Sequence, residues 1–404
     1  MSPTAHRPRA LVIGGSLGGL FTANLLLRCG WDVEVFEQSG AELAGRGAGI
    51  ITHPELFAAL ERIGVPRDDS FGVDIPERVT FDRSGAVIGT LPLPQCLTTW
   101  GRLYQLLREA FPRERYHFGC SFLRLAQDAN CVTARFANGA TARGDLLVGA
   151  DGIRSAVRAQ LLPGVKPVYA GYVAWRGLAA ENLFSPAVHR DLFPKFAFCL
   201  PPREHMLGYP VAGFTNSTRP GERCFNFVWY RPAEESRELT RLCTDALGGL
   251  HPMSIPPPLI RPEVLAEMHD AAQALLSPQF VEVVRHARQP FFQPIFDLES
   301  PQMACGRVAL LGDAAYVARP HCGMGVTKAA GDALLLADAL RDADDKIPVA
   351  LDRYQTGRAR FGPAVVGRAR ELGSYLQGSD EPAAARHHTP EAVMREIAVE
   401  MKFA

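Results

Sequence analysis

Two fragments far apart in the chain, Gly14-Gly15-Ser16-Leu17-Gly18-Gly19 and Leu311-Gly312-Asp313-Ala314-Ala315, are each suited to gripping one part of a nucleotide. In the first, Gly14 permits a tight turn, Gly19 lets a helix pack closely on a strand, and the helix opening at Leu17 offers free N–H groups and a positive dipole to a pyrophosphate. Ser16 stands where the fingerprint has its middle glycine; it is small, and its hydroxyl could donate to a phosphate oxygen. Glu37 follows at about the 20-residue spacing at which a carboxylate takes the ribose hydroxyls. A carboxylate there repels a 2′-phosphate, so FAD or NAD suits the site better than NADP. An ordinary βα turn would account for the glycines alone, but not for strand, helix and Glu37 in register.

In the second fragment Asp313 can accept a ribityl hydroxyl. The residues that follow, Arg319-Pro320-His321-Cys322-Gly323-Met324-Gly325, form a loop leading into a helix from Val326 to Leu340. Pro320, Gly323 and Gly325 shape a loop whose free N–H groups, at the helix start by Val326, can face the N1/C2-oxygen edge of a flavin, where charge develops on reduction. Together the two fragments bracket one FAD. Between them, Gly45-Arg46-Gly47-Ala48-Gly49-Ile50 suggests backbone passing close to something flat, and Gly47 and Gly49 are expected beside the isoalloxazine. Arg102, near the N-terminal end of a helix starting at Trp100, gains nothing from the helix dipole and reads as a contact to the pyrophosphate or ribityl chain, the alternative being a solvated arginine. Asp151 ends a strand in Asp151-Gly152-Ile153-Arg154-Ser155-Ala156-Val157-Arg158; it either faces the cofactor or caps the next helix.

The elements that must place these residues are legible by pattern. Ala10-Leu11-Val12-Ile13 and Asp32-Val33-Glu34-Val35-Phe36 read as buried parallel strands flanking a helix from Leu17 to Arg28, and Gly144 to Val148 and Arg307 to Leu311 as further strands of the same sheet. His53-Pro54-Glu55 opens a helix with proline at a permitted position. The Pro-rich stretch Pro252 to Pro262 reads as a surface loop.

The chain has 404 residues, 47% of them hydrophobic, and equal numbers of acidic and basic side chains (43 each), which bounds it to about two packed domains without a basic surface for nucleic acid. Its nine cysteines show neither CxxC pairs nor Cys/His clusters, so neither a metal site nor a disulfide framework is expected. No apolar stretch is long enough to span a membrane, and a cytoplasmic location is expected. A homodimer is the default assembly.

GGSLGG, DGIRSAVR and GDAAYVARPHCGMG, in this order and spacing, resemble the single-component FAD-dependent aromatic hydroxylases, the class that includes 4-hydroxybenzoate and salicylate hydroxylases. The first glycine loop and Gly171-Tyr172-Val173-Ala174-Trp175-Arg176-Gly177 look most like the branch of 2,6-dihydroxypyridine 3-monooxygenases. Tyr316 and Thr327 depart from the histidine and asparagine many members carry. The resemblance implies an α/β fold in which a Rossmann-like FAD-binding domain (residues 1–75, 98–163 and 298–378) carries an inserted α+β substrate domain (76–97 and 164–297) covering the flavin. C-terminal helices complete it, with a linker and short helix in 379–404. Runs Tyr169 to Leu178, Lys195 to Leu200, His205 to Val211 and Arg223 to Tyr230 read as antiparallel strands of that insertion.

The same resemblance implies FAD as cofactor, NADH or NADPH as co-substrate, and O2 together with a small, electron-rich hydroxylated aromatic or heteroaromatic ring as substrates, hydroxylated by way of a flavin C4a-hydroperoxide. The protein must then exclude water and favour the ionised ring. His53, His321 and Tyr209 are the candidate catalytic side chains, with His205 beside them; each could equally be a cap, a loop-shaping residue or core. Two other readings keep the flavin. One is a different reaction on the same fold, such as epoxidation or halogenation, although the WxWxIP segment of flavin halogenases is missing. The other is a non-catalytic flavin-binding sensor, which predicts NAD(P)H oxidation that no aromatic compound stimulates.

Overall fold

The computed structural model describes residues 7–43, 49–343, 346–377, 386–399 and 401. Its first layer is a six-stranded sheet ordered Ala304–Cys305, Val308–Leu310, Leu146–Gly149, Arg9–Ile13, Asp32–Phe36, Tyr116–His117. All neighbours are parallel except the outermost pair, Ala304–Cys305 against Val308–Leu310. Leu11 sits in register with Leu147 on one side and Glu34 on the other. Ala10, Leu11, Val12 and Leu146 to Val148 have no exposed surface, as expected of parallel strands covered on both faces. The helix Leu17–Arg28 packs on this sheet and against the long helix Gly325–Arg341, so strands and helices from the two ends of the chain meet in one layer.

The second layer is a nine-stranded sheet ordered Tyr316–Val317, Ala287–Glu299, Val168–Ala180, Cys224–Pro232, His205–Val211, Lys195–Cys199, Val73–Phe81, Val87–Thr99, Gly49–Ile51. Side chains alternate between its faces. Tyr172, Ala174, Phe196, Phe198, Leu207, Tyr209 and Tyr230 join the core shared with the first sheet. Val173, Trp175, Ala197, Met206, Phe227 and Trp229 pack instead with the helices Pro262–Leu275 and Pro278–His286. The strands Val73–Phe81 and Val87–Thr99 pair from Val73↔Leu97 to Phe81↔Val87, with register shifts between Ile75 and Glu77 and between Thr80 and Phe81. The Pro-rich stretch is partly anchored: Ile255 and Ile260 are buried, and Pro262 opens a helix. The helices Ile347–Arg358, Phe361–Leu372 and Pro390–Glu396 follow toward the C-terminus. The expected linker at 379–385 lies outside the described residues. Among those described, no helix is long and apolar enough to cross a membrane.

Candidate flavin and substrate site

The first glycine turn is shaped by backbone approach. Gly14 has φ +101° and donates its N–H to Phe36 O at 2.9 Å; a Cβ there would lie 2.4 Å from Ala150 O. A Cβ on Gly19 would lie 1.9 Å from Gly14 O. Both glycines are therefore obligatory for bringing the strand Arg9–Ile13, the Asp151 turn and the first helix together. Ser16 is the helix N-cap, but its hydroxyl makes no capping bond, and no acidic side chain occupies the first turn that begins at Leu17. The N–H groups of that turn have no intrahelical acceptors and point where an anion would sit.

Glu37 is buried, its carboxylate accepting the N–H of Gly15 and of Ser39, each at 2.8 Å. Tyr116, which sequence reasoning passed over, donates to Gly15 O at 3.0 Å and fills the space a Gly15 side chain would need. Arg102 points back to Ser70 Oγ, while its Nε is buried without a partner. Asp151 supports the start of the next helix, whose N-cap is Ser155: it accepts the hydroxyl of Ser155 and the N–H groups of Ala156 (2.7 Å) and Val157 (3.2 Å). Desolvation raises its pKa and these bonds oppose the rise. Of the same motif, buried Arg158 reaches across to Ala314 O at 3.0 Å, tying this turn to the Gly312-Asp313-Ala314 turn.

Asp313 is half-exposed and paired at 2.6 Å with Lys328, itself buried. Asp332 stands behind the turn with no exposure, accepting Gly312 N–H (3.0 Å) and Tyr316 O–H (2.9 Å) and pairing with Arg358 at 2.7 Å. Tyr316 is thus tied to the turn's own support. The loop Pro320–Cys322 ends at Gly323, φ +66°, and the helix Gly325–Arg341 begins without a side-chain cap. A Cβ on Gly325 would meet no atom within 4 Å, and two residues on Thr327 Oγ1 is buried without a partner. Gly18 faces Leu311 and Ala329, at 3.2 and 3.6 Å from its Cβ position, so the two uncapped helix starts lie side by side. An open cradle at Gly325, a second uncapped helix start at Leu17 and the carboxylates Glu37 and Asp313 form a donor and acceptor set that fits FAD. Gly47 lies outside the described residues. Gly49 N–H donates to Asn226 Oδ1 at 3.0 Å, and its Cβ position lies 2.6 Å from the Tyr209 ring, so that stretch runs against the large sheet.

The inward face of the large sheet presents a buried cluster of histidines and tyrosines. His321 Nε2 meets Tyr172 O–H at 2.8 Å and its Nδ1 has no partner. His205 Nδ1 meets Tyr375 O–H and its Nε2 has none. Tyr230 lies 4.4 Å from the His321 ring. Burial pushes His321 down to about 3, with the Arg319 charge adding to the effect, and drives His205 well below its usual value; Tyr230 is pushed up to about 12. His53 is the buried N-cap of the helix Pro54–Ile63, its Nε2 unpartnered; burial pushes it down to about 4, with interaction at the Gly323 backbone opposing the fall. Tyr209 is buried against Phe196, and burial raises its hydroxyl. Cys322 is buried, and desolvation holds its thiol up at about 12, so it carries no thiolate. The structure therefore brings His321, His205, Tyr172, Tyr230 and Tyr375 together and sets His53 beside the same flavin loop.

The layered fold and this site belong to a known class: the chain is a member of the FAD-dependent aromatic monooxygenases. A sequence model described as FAD binding domain-like matches residues 169–297. The chain is 35% identical over 388 residues to 2,6-dihydroxypyridine 3-monooxygenase of Paenarthrobacter nicotinovorans, covering 95% of each, and 29% identical to 6-hydroxynicotinate 3-monooxygenase of Pseudomonas fluorescens, covering 94% of each. The solved structure of 2,6-dihydroxypyridine-3-hydroxylase from Arthrobacter nicotinovorans matches with TM-score 0.87 at 33% identity, covering 94% of this chain and 96% of that one. FAD is accordingly its cofactor.

Proposed function

We propose that this monooxygenase hydroxylates 2,6-dihydroxypyridine at C3, drawing electrons from NADH or NADPH and one oxygen atom from O2. FAD supplies the redox and oxygen chemistry. The observation that carries the reading on this chain's side is the buried pair of Tyr172, on the large sheet, with His321 of the flavin loop, whose Nδ1 is left free. On this reading Ser16, Leu17, Gly14 and Gly19 shape the pyrophosphate cradle, Glu37 takes the adenosine ribose, Asp313 the ribityl chain, and Gly323, Gly325 and Val326 the ring edge, with Arg102 and Asp151 near the middle of the cofactor. His321 Nδ1 and His53 Nε2, both neutral, are proton acceptors for a ring hydroxyl, and Tyr209 and Asn226 orient the ring. Burial of the histidine and tyrosine cluster excludes water. The division into a discontinuous FAD-binding domain and an inserted substrate domain, and assembly as a homodimer, are proposed with it.

Stopped-flow oxidation of NADH and NADPH by the FAD-loaded protein tests this, with 2,6-dihydroxypyridine set against hydroxybenzoates, salicylate and 6-hydroxynicotinate. Strong acceleration by the dihydroxypyridine, matched by O2 uptake and a trihydroxypyridine product, is expected. Acceleration and product with another ring refute the substrate, and oxidation unaffected by any ring refutes hydroxylation.

A further inference from the structure

Arg78 projects from the strand Val73–Phe81 toward the flavin side of the large sheet and has no exposed surface. A buried guanidinium normally answers a carboxylate, yet among the described residues Arg78 makes no salt bridge. All five of its N–H donors are nevertheless used. Nε and Nη2 donate to Gln95 Oε1 (3.0 and 2.6 Å), Nη1 to Met394 O and Ile397 O (2.9 and 2.7 Å), and Nη2 also to Ala398 O (3.0 Å). The guanidinium lies 4.7 Å from the Phe196 ring centre, which fixes its plane. Gln95 Nε2 adds a second bond to Ala398 O at 3.1 Å.

What Arg78 holds is the last turn of the helix Pro390–Glu396 and the backbone just beyond it, where Ala398 lies on the flavin loop. Ala398 N–H donates to His321 O at 2.8 Å. A Cβ on Gly323 would lie 3.1 Å from Ala398 Cα, so that glycine and the tail are in direct contact. Ala398 is held at φ +56°, a left-handed conformation that a non-glycine residue keeps only when both sides of it are fixed. Here its N–H is fixed by the loop and its carbonyl by Arg78 and Gln95.

We infer that Arg78 is a positioning residue: by pinning Ile397 and Ala398 it braces the Pro320–Gly325 loop from behind, so that FAD binding and docking of the C-terminal segment are energetically coupled. The inference rests on the reading that this loop holds the flavin. Coupling of this kind is reciprocal, so FAD must tighten the tail by the same factor by which the docked tail tightens FAD.

The test measures FAD dissociation constants of FAD-free protein by fluorescence titration for Arg78→Met, Arg78→Lys and Ala398→Pro, with amide hydrogen exchange of the 393–399 segment in the unmodified chain with and without FAD. Expected are at least tenfold weaker FAD binding in Arg78→Met and Ala398→Pro, partial recovery in Arg78→Lys, and faster exchange of the tail when FAD is absent. Binding within twofold of the unmodified chain in the two disruptive variants overturns the inference, as does exchange indifferent to FAD. The exchange comparison needs no variant and decides alone if the substituted chains fail to fold. Gly325→Val separates the two layers of argument. If it weakens FAD while the Arg78 and Ala398 variants do not, the brace fails and the loop reading stands; if none of them weakens FAD, the loop reading fails.

Discussion

Replacing Gly325 with valine distinguishes a glycine kept for a ligand from one kept for the fold. The Cβ position at Gly325 has no protein atom within 4 Å, and its backbone is not in the left-handed region, so the apo fold accepts the side chain. Removing glycine from the first position of the helix Gly325–Arg341 lowers the entropy of the unfolded chain and raises helix propensity, a gain of about 0.4 kcal/mol. The only space the isopropyl group enters is the cradle, so FAD affinity is expected to fall at least about 100-fold, equivalent to ~2.7 kcal/mol. Gly19→Ala should do the opposite: its Cβ lands 1.9 Å from Gly14 O, which demands a backbone shift costing about 3 kcal/mol whether or not FAD is present. Thermal melts of the FAD-free proteins and fluorescence titration with FAD read the two quantities separately. A Gly325→Val protein that melts like the unmodified chain and binds FAD with unchanged affinity would refute the cradle, and one that melts several degrees lower would refute the claim that the space is empty.

Two further predictions concern stability. His53 and His321, at about 4 and about 3, stay neutral in the fold and protonate on unfolding near pH 6.5, so their share of stability is complete above pH 6.5 and falls as pH drops toward the folded values. At pH 5 each withdraws about 2 kcal/mol relative to pH 8; the loss of stability between those pH values in urea should shrink by about that amount in His53→Gln or His321→Gln, and an unchanged loss would show the histidines to be charged or exposed. Arg158→Met leaves the buried Ala314 carbonyl without its donor and should cost about 2 kcal/mol. It should also weaken FAD by loosening both turns at once; an unchanged melting temperature and FAD affinity would show that the link carries nothing.

The elements around the first glycine turn were legible because their causes are local. The apolar run at Ala10 to Ile13, the glycines and the 3.6-residue pattern from Leu17 fix strand, turn and helix with no reference to the rest of the chain. The same holds for His53 as an N-cap and for the strands carrying His205, Tyr209 and Tyr172. The partners of these residues were not legible, because they come from afar. Tyr375 meets His205 from 170 residues away, and Asp332 supports the Gly312 turn from the face of the next helix. Alternation along Cys224–Pro232 groups Asn226 with Tyr230, but periodicity cannot say which face looks at the flavin. Arg78 reads in sequence as an ordinary strand arginine; only the carbonyls of Met394, Ile397 and Ala398, more than 300 residues on, give it a task. The sequence left Asp151 open between the cofactor and the next helix; in the fold it accepts the hydroxyl of Ser155 and the N–H of Ala156 at that helix's start.

The strand order of the parallel sheet sets a timetable for a chain made from its N-terminus. Arg9–Ile13 and Asp32–Phe36 emerge early and can pair, but the other neighbour of Arg9–Ile13 is Leu146–Gly149, whose own outer neighbour is Val308–Leu310. Until each arrives, the growing sheet presents an open edge of unpaired N–H and C=O groups flanked by apolar side chains, which is the surface that chaperones shield and that nascent chains aggregate through. The cofactor's two helix starts, at Leu17 and Gly325, come together only when the last quarter of the chain has been made. A nascent chain stalled before residue 308 therefore has half a cradle and an exposed edge, and loading with FAD belongs at the end of synthesis, where it can act as the final check that the sheet has closed.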